Sequence, residues 1–363
     1  MYKLFSKLRI NSKYELKNRL AVAPMTTTQS NSDGTLSSEE AAWLERIAAD
    51  DYGMIISCAA AISKDSIAFE NQLSFENDSM LPKLTVLADK LKKYNCISLI
   101  QLCHAGSRAI KSQPYSASSY TMPDIPGFIS PQMLTKSQIE TIVSDFSHAC
   151  VRVCNAGFDG IEFHGANGYL FTQFISKMTN SRSDSYGGSL ENRARFSREV
   201  IQACRKAVPE DFIIGFRMSF ENAGLETGLD IDENIQIVNW LAEDGIDYIH
   251  ISHIDYSAKS VKYPDQIALQ YIKSKITDKI PLVGVGGITS LQKAEQAMVF
   301  GADIVAIGRA AIGNKDLPKT FAKGEELLFQ NPFPESLLKD LGISSDFIGY
   351  LRKMPVASLN VVQ

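Results

Sequence analysis

Eight short apolar runs, rich in β-branched residues, alternate with longer segments of helical period along this chain. The runs are Arg19–Ala23, Met54–Ala61, Ile97–Gln101, Phe158–Phe163, Phe212–Met218, Asp247–Ser252, Ile280–Val285 and Asp303–Ile307. Helical segments lie near residues 38–51, 79–95, 135–156, 191–207, 231–245, 266–277 and 289–300. Such alternation implies parallel strands joined by right-handed crossovers, with helices covering the sheet. An open doubly wound sheet would start with a glycine fingerprint after its first strand, but here that strand ends in Pro24-Met25-Thr26. A closed eight-stranded parallel β/α (TIM) barrel, an α/β fold, fits the count better. The 363 residues suit a single domain of that kind, with the barrel over about 18–315 and a helical C-terminal tail over about 316–363.

Four segments carry helix-start signals, in which a small polar residue caps the helix and a residue three later returns the bond. They are Ser37 with Glu40, Thr135 with Gln138, Asp230 with Glu233, and Thr289 with Gln292. Near 135–156, the residues Ile139, Ile142, Val143, Phe146, Cys150 and Val153 form one helical stripe. Cys150 and Cys154 are therefore expected as buried packing residues, not a metal pair. The six cysteines are expected as free thiols in a reducing cytoplasm. A formal net charge of −4 argues against nucleic acid or an anionic membrane surface as a main partner. No run approaches the ~18 apolar residues of a membrane span, and MYKLFSKLRI lacks a signal peptide's apolar core.

Barrel enzymes carry their chemistry at the C-terminal ends of strands. Read in order, those ends are Ala23-Pro24-Met25-Thr26, Ala59, Gln101, His164, Arg217, His250, Gly286-Gly287 and Gly308-Arg309. The last two suit a phosphate. Glycines let backbone N–H groups approach its oxygens, a following helix start adds a favourable dipole, and Arg309 adds charge. The other ends suit a flavin, whose ring edge of carbonyls and N–H groups matches the Gln101 amide and the Thr26 hydroxyl. Arg217 would stabilise the negative charge that reduction leaves near flavin N1 and O2. Beyond the fourth strand, His164, Asn167 and Tyr169 place two hydrogen-bond donors and a phenol within six residues. Two donors can hold one oxygen as an oxyanion hole does, and a phenol can deliver a proton.

The segment from Phe163 to Phe196, with Asn18-Arg19, Gln101-Leu102-Cys103-His104-Ala105-Gly106, Asp247–Ser252, Gly301-Ala302-Asp303 and Gly308-Arg309, resembles the Old Yellow Enzyme family. That resemblance covers roughly residues 18–315. It implies an FMN-dependent oxidoreductase that uses NADH or NADPH to reduce the C=C bond of an electron-poor alkene. By the same resemblance, Ala23, Pro24, Met25, Thr26, Ala59, Gln101 and Arg217 hold the isoalloxazine ring. Gly286, Gly287, Gly308 and Arg309 hold the phosphate, His164 and Asn167 bind the substrate oxygen, and Tyr169 is the proton donor. No metal is expected: a metal hydrolase on this barrel wants an H-x-H pair after strand one, and the chain has none. His104 and His250 are expected in structural or supporting roles.

Three departures from the family pattern bear on the pocket. Ser107 intervenes between His104-Ala105-Gly106 and the basic Arg108, Cys103 replaces an aromatic or small residue, and Thr28 stands where some bacterial members carry tyrosine. They leave an alternative open, a flavin-binding redox partner or sensor without ene-reductase turnover. The cluster around Arg182, Asp184, Arg193 and Arg195 is expected to order the loop after strand four through ion pairs. The tail either packs on the barrel or closes a homo-oligomer.

Overall fold

The computed structural model describes residues 2–122, 128–223, 226–327, 332–353 and 361–362. Its centre is a closed barrel of eight strands: β1 (Leu20–Val22), β2 (Met54–Ala61), β3 (Ile97–Cys103), β4 (Gly160–Gly165), β5 (Ile213–Met218), β6 (Tyr248–Ile251), β7 (Leu282–Val285) and β8 (Ile304–Ile307). Every neighbouring pair is parallel, and β8 pairs with β1 to close the ring. All eight expected strands are present, shifted at their ends by at most two residues. The shift at β4 matters because His164 lies within the strand, so its backbone is fixed by pairing.

The helices are α1 (Ser38–Ala49), α2 (Leu81–Leu91), α3 (Lys136–Ala156), α4 (Leu170–Ile175), α5 (Leu190–Ala207), α6 (Ile231–Glu243), α7 (Ala268–Lys273), α8 (Leu291–Val299) and α9 (Arg309–Gly313). The tail adds α10 (Leu317–Ala322), α11 (Glu335–Asp340) and α12 (Ser345–Lys353). Thr135 and Gln138 form the full reciprocal cap of α3. Ser37 caps α1, but Glu40 turns inward and bonds Ser30 instead of returning the bond. On α8 the cap is Ser290, not Thr289, because Ser290 is the extended residue whose hydroxyl accepts from Lys293 N. The segment expected at 266–277 forms only the six-residue α7, since Gln266 N still closes a turn onto Tyr263 O. Cys150 is fully buried as expected, whereas Cys154 is only half-buried.

Strand side chains alternate between two cores. Inward residues such as Ala21, Met54, Ile56, Leu99, Ile213 and Val283 fill the barrel, with Ile10 and Leu16 of an N-terminal hairpin packed against them. Outward residues meet the helices. The densest outer contact surrounds β4, where Phe163 and Phe216 pack with Phe146, Phe171 and Phe196. Such aromatic packing makes β4 a stiff mount for the residues it carries. Among the described residues, no helix is long and apolar enough to cross a membrane.

Candidate active site

The register of β3 to β6 stacks polar residues in two tiers inside the barrel. Gln101 lies opposite Glu162, which lies opposite Gly215, which lies opposite Tyr248. One step up, His164 lies opposite Arg217, and Arg217 opposite His250. The lower tier converges on the Glu162 carboxylate, which is fully buried. Gln101 Nε2 donates to it at 2.7 Å, and the Tyr248 hydroxyl and His250 Nδ1 at 2.9 Å each. Gly215 makes this reach possible: a Cβ there would lie 2.0 Å from a ring carbon of Tyr248. Burial works to raise the Glu162 carboxyl, but His250, Arg217 and Gln101 hold it below its ordinary value. Burial lowers His250, so the histidine is neutral and donates its Nδ1 proton. The Gln101 amide gives one N–H to Glu162, which fixes its orientation and leaves its carbonyl oxygen on the other side.

The upper tier gives Asn167 its polarity. Arg217 Nη2 donates to the Ser252 hydroxyl at 3.1 Å. A guanidinium can only donate, so Ser252 accepts there and passes its own proton to Asn167 Oδ1, at 3.3 Å. With Oδ1 engaged, the NH₂ of Asn167 is its outward-facing polar group. Asn167 takes φ +59, a left-handed conformation that asparagine tolerates well. Burial, with Arg217 and Arg108 adding to it, pushes His164 well below its usual value, so the ring is neutral and keeps one N–H. Its ring centroid lies 4.9 Å from that of Tyr169. Burial raises the Tyr169 phenol, which is therefore protonated at neutral pH.

Above these tiers opens a cavity of about 500 Å³ at the strand C-termini. Of the residues expected from sequence, Ala23, Pro24, Met25, Thr26, Asn167, Tyr169, Arg217, Gly286, Gly287, Gly308 and Arg309 line it together. Gln101, His164 and Ala59 do not line it; all three are buried among the strands, and the Ala59 carbonyl accepts from Gln72. Gly286 has φ +116, and a Cβ there would meet the backbone of residues 253–255 at 2.6–2.8 Å. Only glycine fits. Gly287 also has positive φ, at +64. The helix start expected beside these glycines lies further on, at Leu291 beyond the Ser290 cap.

An FMN fits this donor set. The two glycine turns and Arg309 offer a phosphate cradle, and Thr26 and Arg217 offer ring-edge partners. Arg217, which lines the cavity, has a buried Nε with no hydrogen-bond partner, as expected of a group that faces a ligand; His164 Nδ1, buried in the strand, is likewise unpartnered.

Several participants were not singled out from sequence. Glu162 and Tyr248 could have been found by period two, since each stands two residues before an inward histidine. Ser252 carried no signal, because its role depends on how the end of β6 meets the loop after β4. The tail carried none either, yet α12 lies over the mouth: Phe347, Tyr350 and Leu351 line the cavity. Phe347 packs edge-on against Trp43 at 5.4 Å, and the Tyr350 phenol is within reach of the Thr26 hydroxyl. Thr28 does not line the cavity; it takes φ +52 and its hydroxyl bonds Thr27 O. His104 accepts from Gly106 N in the turn after β3, a structural bond. The arginine cluster orders two loops at once: Arg182 pairs with Asp184 at 2.7 Å and also bonds the carbonyls of Ala117 and Leu134. Arg193 pairs with Glu233 at 2.9 Å.

The sequence profile of the NADH:flavin oxidoreductase / NADH oxidase family matches residues 3–327. The chain is 33% identical over 334 residues to the probable NADH-dependent flavin oxidoreductase YqiG of Bacillus subtilis (strain 168), covering 89% of this chain and 88% of that protein. It is 32% identical over 330 residues to the NADPH dehydrogenase of Bacillus cytotoxicus (strain DSM 22905 / CIP 110041 / 391-98 / NVH 391-98), covering 88% of this chain and 92% of that protein. In fold it is similar to the old yellow enzyme homologue from Zymomonas mobilis, with a TM-score of 0.80 at 23% identity, covering 98% of each chain. A closed parallel barrel, a donor set that fits FMN and a profile match over most of the length lead to one conclusion: the chain belongs to the NADH:flavin oxidoreductase / NADH oxidase family.

Proposed function

We propose that this NAD(P)H-dependent flavin oxidoreductase reduces the C=C bond of electron-poor alkenes such as enones, enals and nitroalkenes. One observation carries the reading: the Arg217–Ser252–Asn167 relay turns an amide NH₂ outward beside a neutral His164 and a protonated Tyr169. Bound FMN would supply the hydride chemistry, from NAD(P)H to the alkene carbon β to the activating group. Asn167 and His164 would donate to the carbonyl or nitro oxygen, where negative charge gathers as the β carbon is attacked. Their neutrality matters, since each is a fixed donor that need not lose a proton to act. Tyr169 would protonate the α carbon, so the net change is addition of one hydride and one proton. Arg217 would sit at the pyrimidine edge of the flavin, its charge balanced by Glu162 one tier below. The α12 residues Phe347, Tyr350 and Leu351 would limit water at the mouth.

The test is Tyr169→Phe. Reduction of the flavin by NADPH should survive, while reoxidation by 2-cyclohexenone should slow about 100-fold or more, the scale of a lost proton donor. Equal loss in both half-reactions would remove Tyr169 from the donor role.

A further inference from the structure

Arg108 closes a one-turn segment, Gly106–Arg108, directly after β3. Two contacts fix it: Nη1 donates to Asn167 O at 2.6 Å, and the guanidinium carbon lies 4.7 Å from the Tyr169 ring centroid. The phenol is thus flanked by His164 and Arg108. Arg108 is exposed, and with Asn167 it lines both the mouth cavity and a second cavity of about 290 Å³ under the loop after β3. Five other arginines of the chain are spent on carboxylates: Arg152, Arg182, Arg193, Arg198 and Arg205 have partners at 2.6–2.9 Å. Among the described residues, no carboxylate pairs with Arg108 in this way. Glu226 also lines the second cavity, but it accepts from Gly168 N at 2.8 Å, and its burial favours the neutral acid. A fixed cation, with one nitrogen anchored and the rest of its fork unspent, stands one phenol-width from the carbonyl-binding donors.

We propose that Arg108 binds a carboxylate on the substrate, so that the preferred alkenes are 4-oxo-2-enoates, unsaturated oxo acids whose ketone activates the double bond. This rests on the ene-reductase reading. The ketone oxygen goes to His164 and Asn167 while the carboxylate, at the far end of the conjugated unit, reaches the guanidinium. C2 of the oxo acid, β to the ketone, gains the hydride, C3 gains the proton from Tyr169, and NAD(P)H leaves as NAD(P)⁺. The guanidinium fork suits a planar carboxylate.

The test separates binding from turnover. The FMN-loaded protein is titrated with 4-oxopentanoate and with its methyl ester, following the flavin spectrum, and steady-state rates are measured with (E)-4-oxo-2-pentenoate and its methyl ester. The acid should bind about tenfold tighter than the ester at about 50 mM salt, and the advantage should shrink at about 0.5 M. Arg108→Gln should bring the acid/ester ratio, in Kd and in kcat/KM, to within about twofold, and Arg108→Lys should retain part of it. A wild-type ratio near one, a ratio insensitive to salt, or one that survives Arg108→Gln overturns the proposal. If a variant fails to fold, the wild-type ratio and its salt dependence still decide. Failure of the ene-reductase reading looks different: neither alkene is turned over, while the binding ratio still reports on Arg108.

Discussion

Ser252 sets the polarity of the Asn167 amide, because its hydroxyl accepts from Arg217 and gives its proton to Asn167 Oδ1. Ser252→Ala frees Asn167 to turn its oxygen outward. The expected outcome is about a tenfold loss in kcat/KM for the alkene, the size of one misdirected hydrogen bond to a charged transition state. Stopped-flow traces of the two half-reactions measure it, and an unchanged reoxidation rate would contradict the relay. The titrating groups add a pH expectation. His164 lies well below 6.5 and Tyr169 above 10, so neither changes charge between about pH 7 and 9, and reoxidation by the alkene should be flat across that window. The motif residues His164, Asn167 and Tyr169 were legible because they fall within six positions. Ser252 was not, since no spacing along the chain encodes a meeting of two different strand ends.

Among the elements, β5 and α1 show how strict local packing is. Gly215 leaves room for the Tyr248 ring, so Gly215→Ala forces the phenol off Glu162. A loss of about 2–3 kcal/mol in unfolding free energy is expected, the usual cost of overpacking a filled core, read by denaturant titration. On α1, Glu40 is fully buried and desolvation raises its carboxyl to about 7. The unfolded chain then ionises first as pH rises, so stability is greatest below about 4.5 and falls through about 7. About 2–3 kcal/mol should disappear between pH 5 and 8 from this group, and Glu40→Gln should flatten that slope. Strand positions were legible from apolar runs, since a parallel barrel buries both faces of every strand. Ends and caps were less so: Ser290 and Thr289 are both small polar residues, and only the backbone decides which one caps α8.

At the scale of the whole molecule, the barrel and its cavity follow from alternation that the chain declares openly, while the tail does not declare itself. Helix α12 reads as an ordinary amphipathic segment; that it covers the barrel mouth depends on Phe347 meeting Trp43 and Tyr350 meeting Thr26, contacts some 300 residues apart in sequence. In the lower polar tier, period two marks Glu162 and Tyr248 as inward, but their partnership was hidden, because residues of separate strands meet only through the register of the sheet. The central claim is that one mouth holds FMN and passes hydride from NAD(P)H to an alkene. The most direct measurement is the absorbance spectrum of the purified protein under nitrogen, first with NADPH and then with 2-cyclohexenone. A flavin band that bleaches with NADPH and returns with the enone is predicted. A band that bleaches but returns only with oxygen would contradict the alkene assignment.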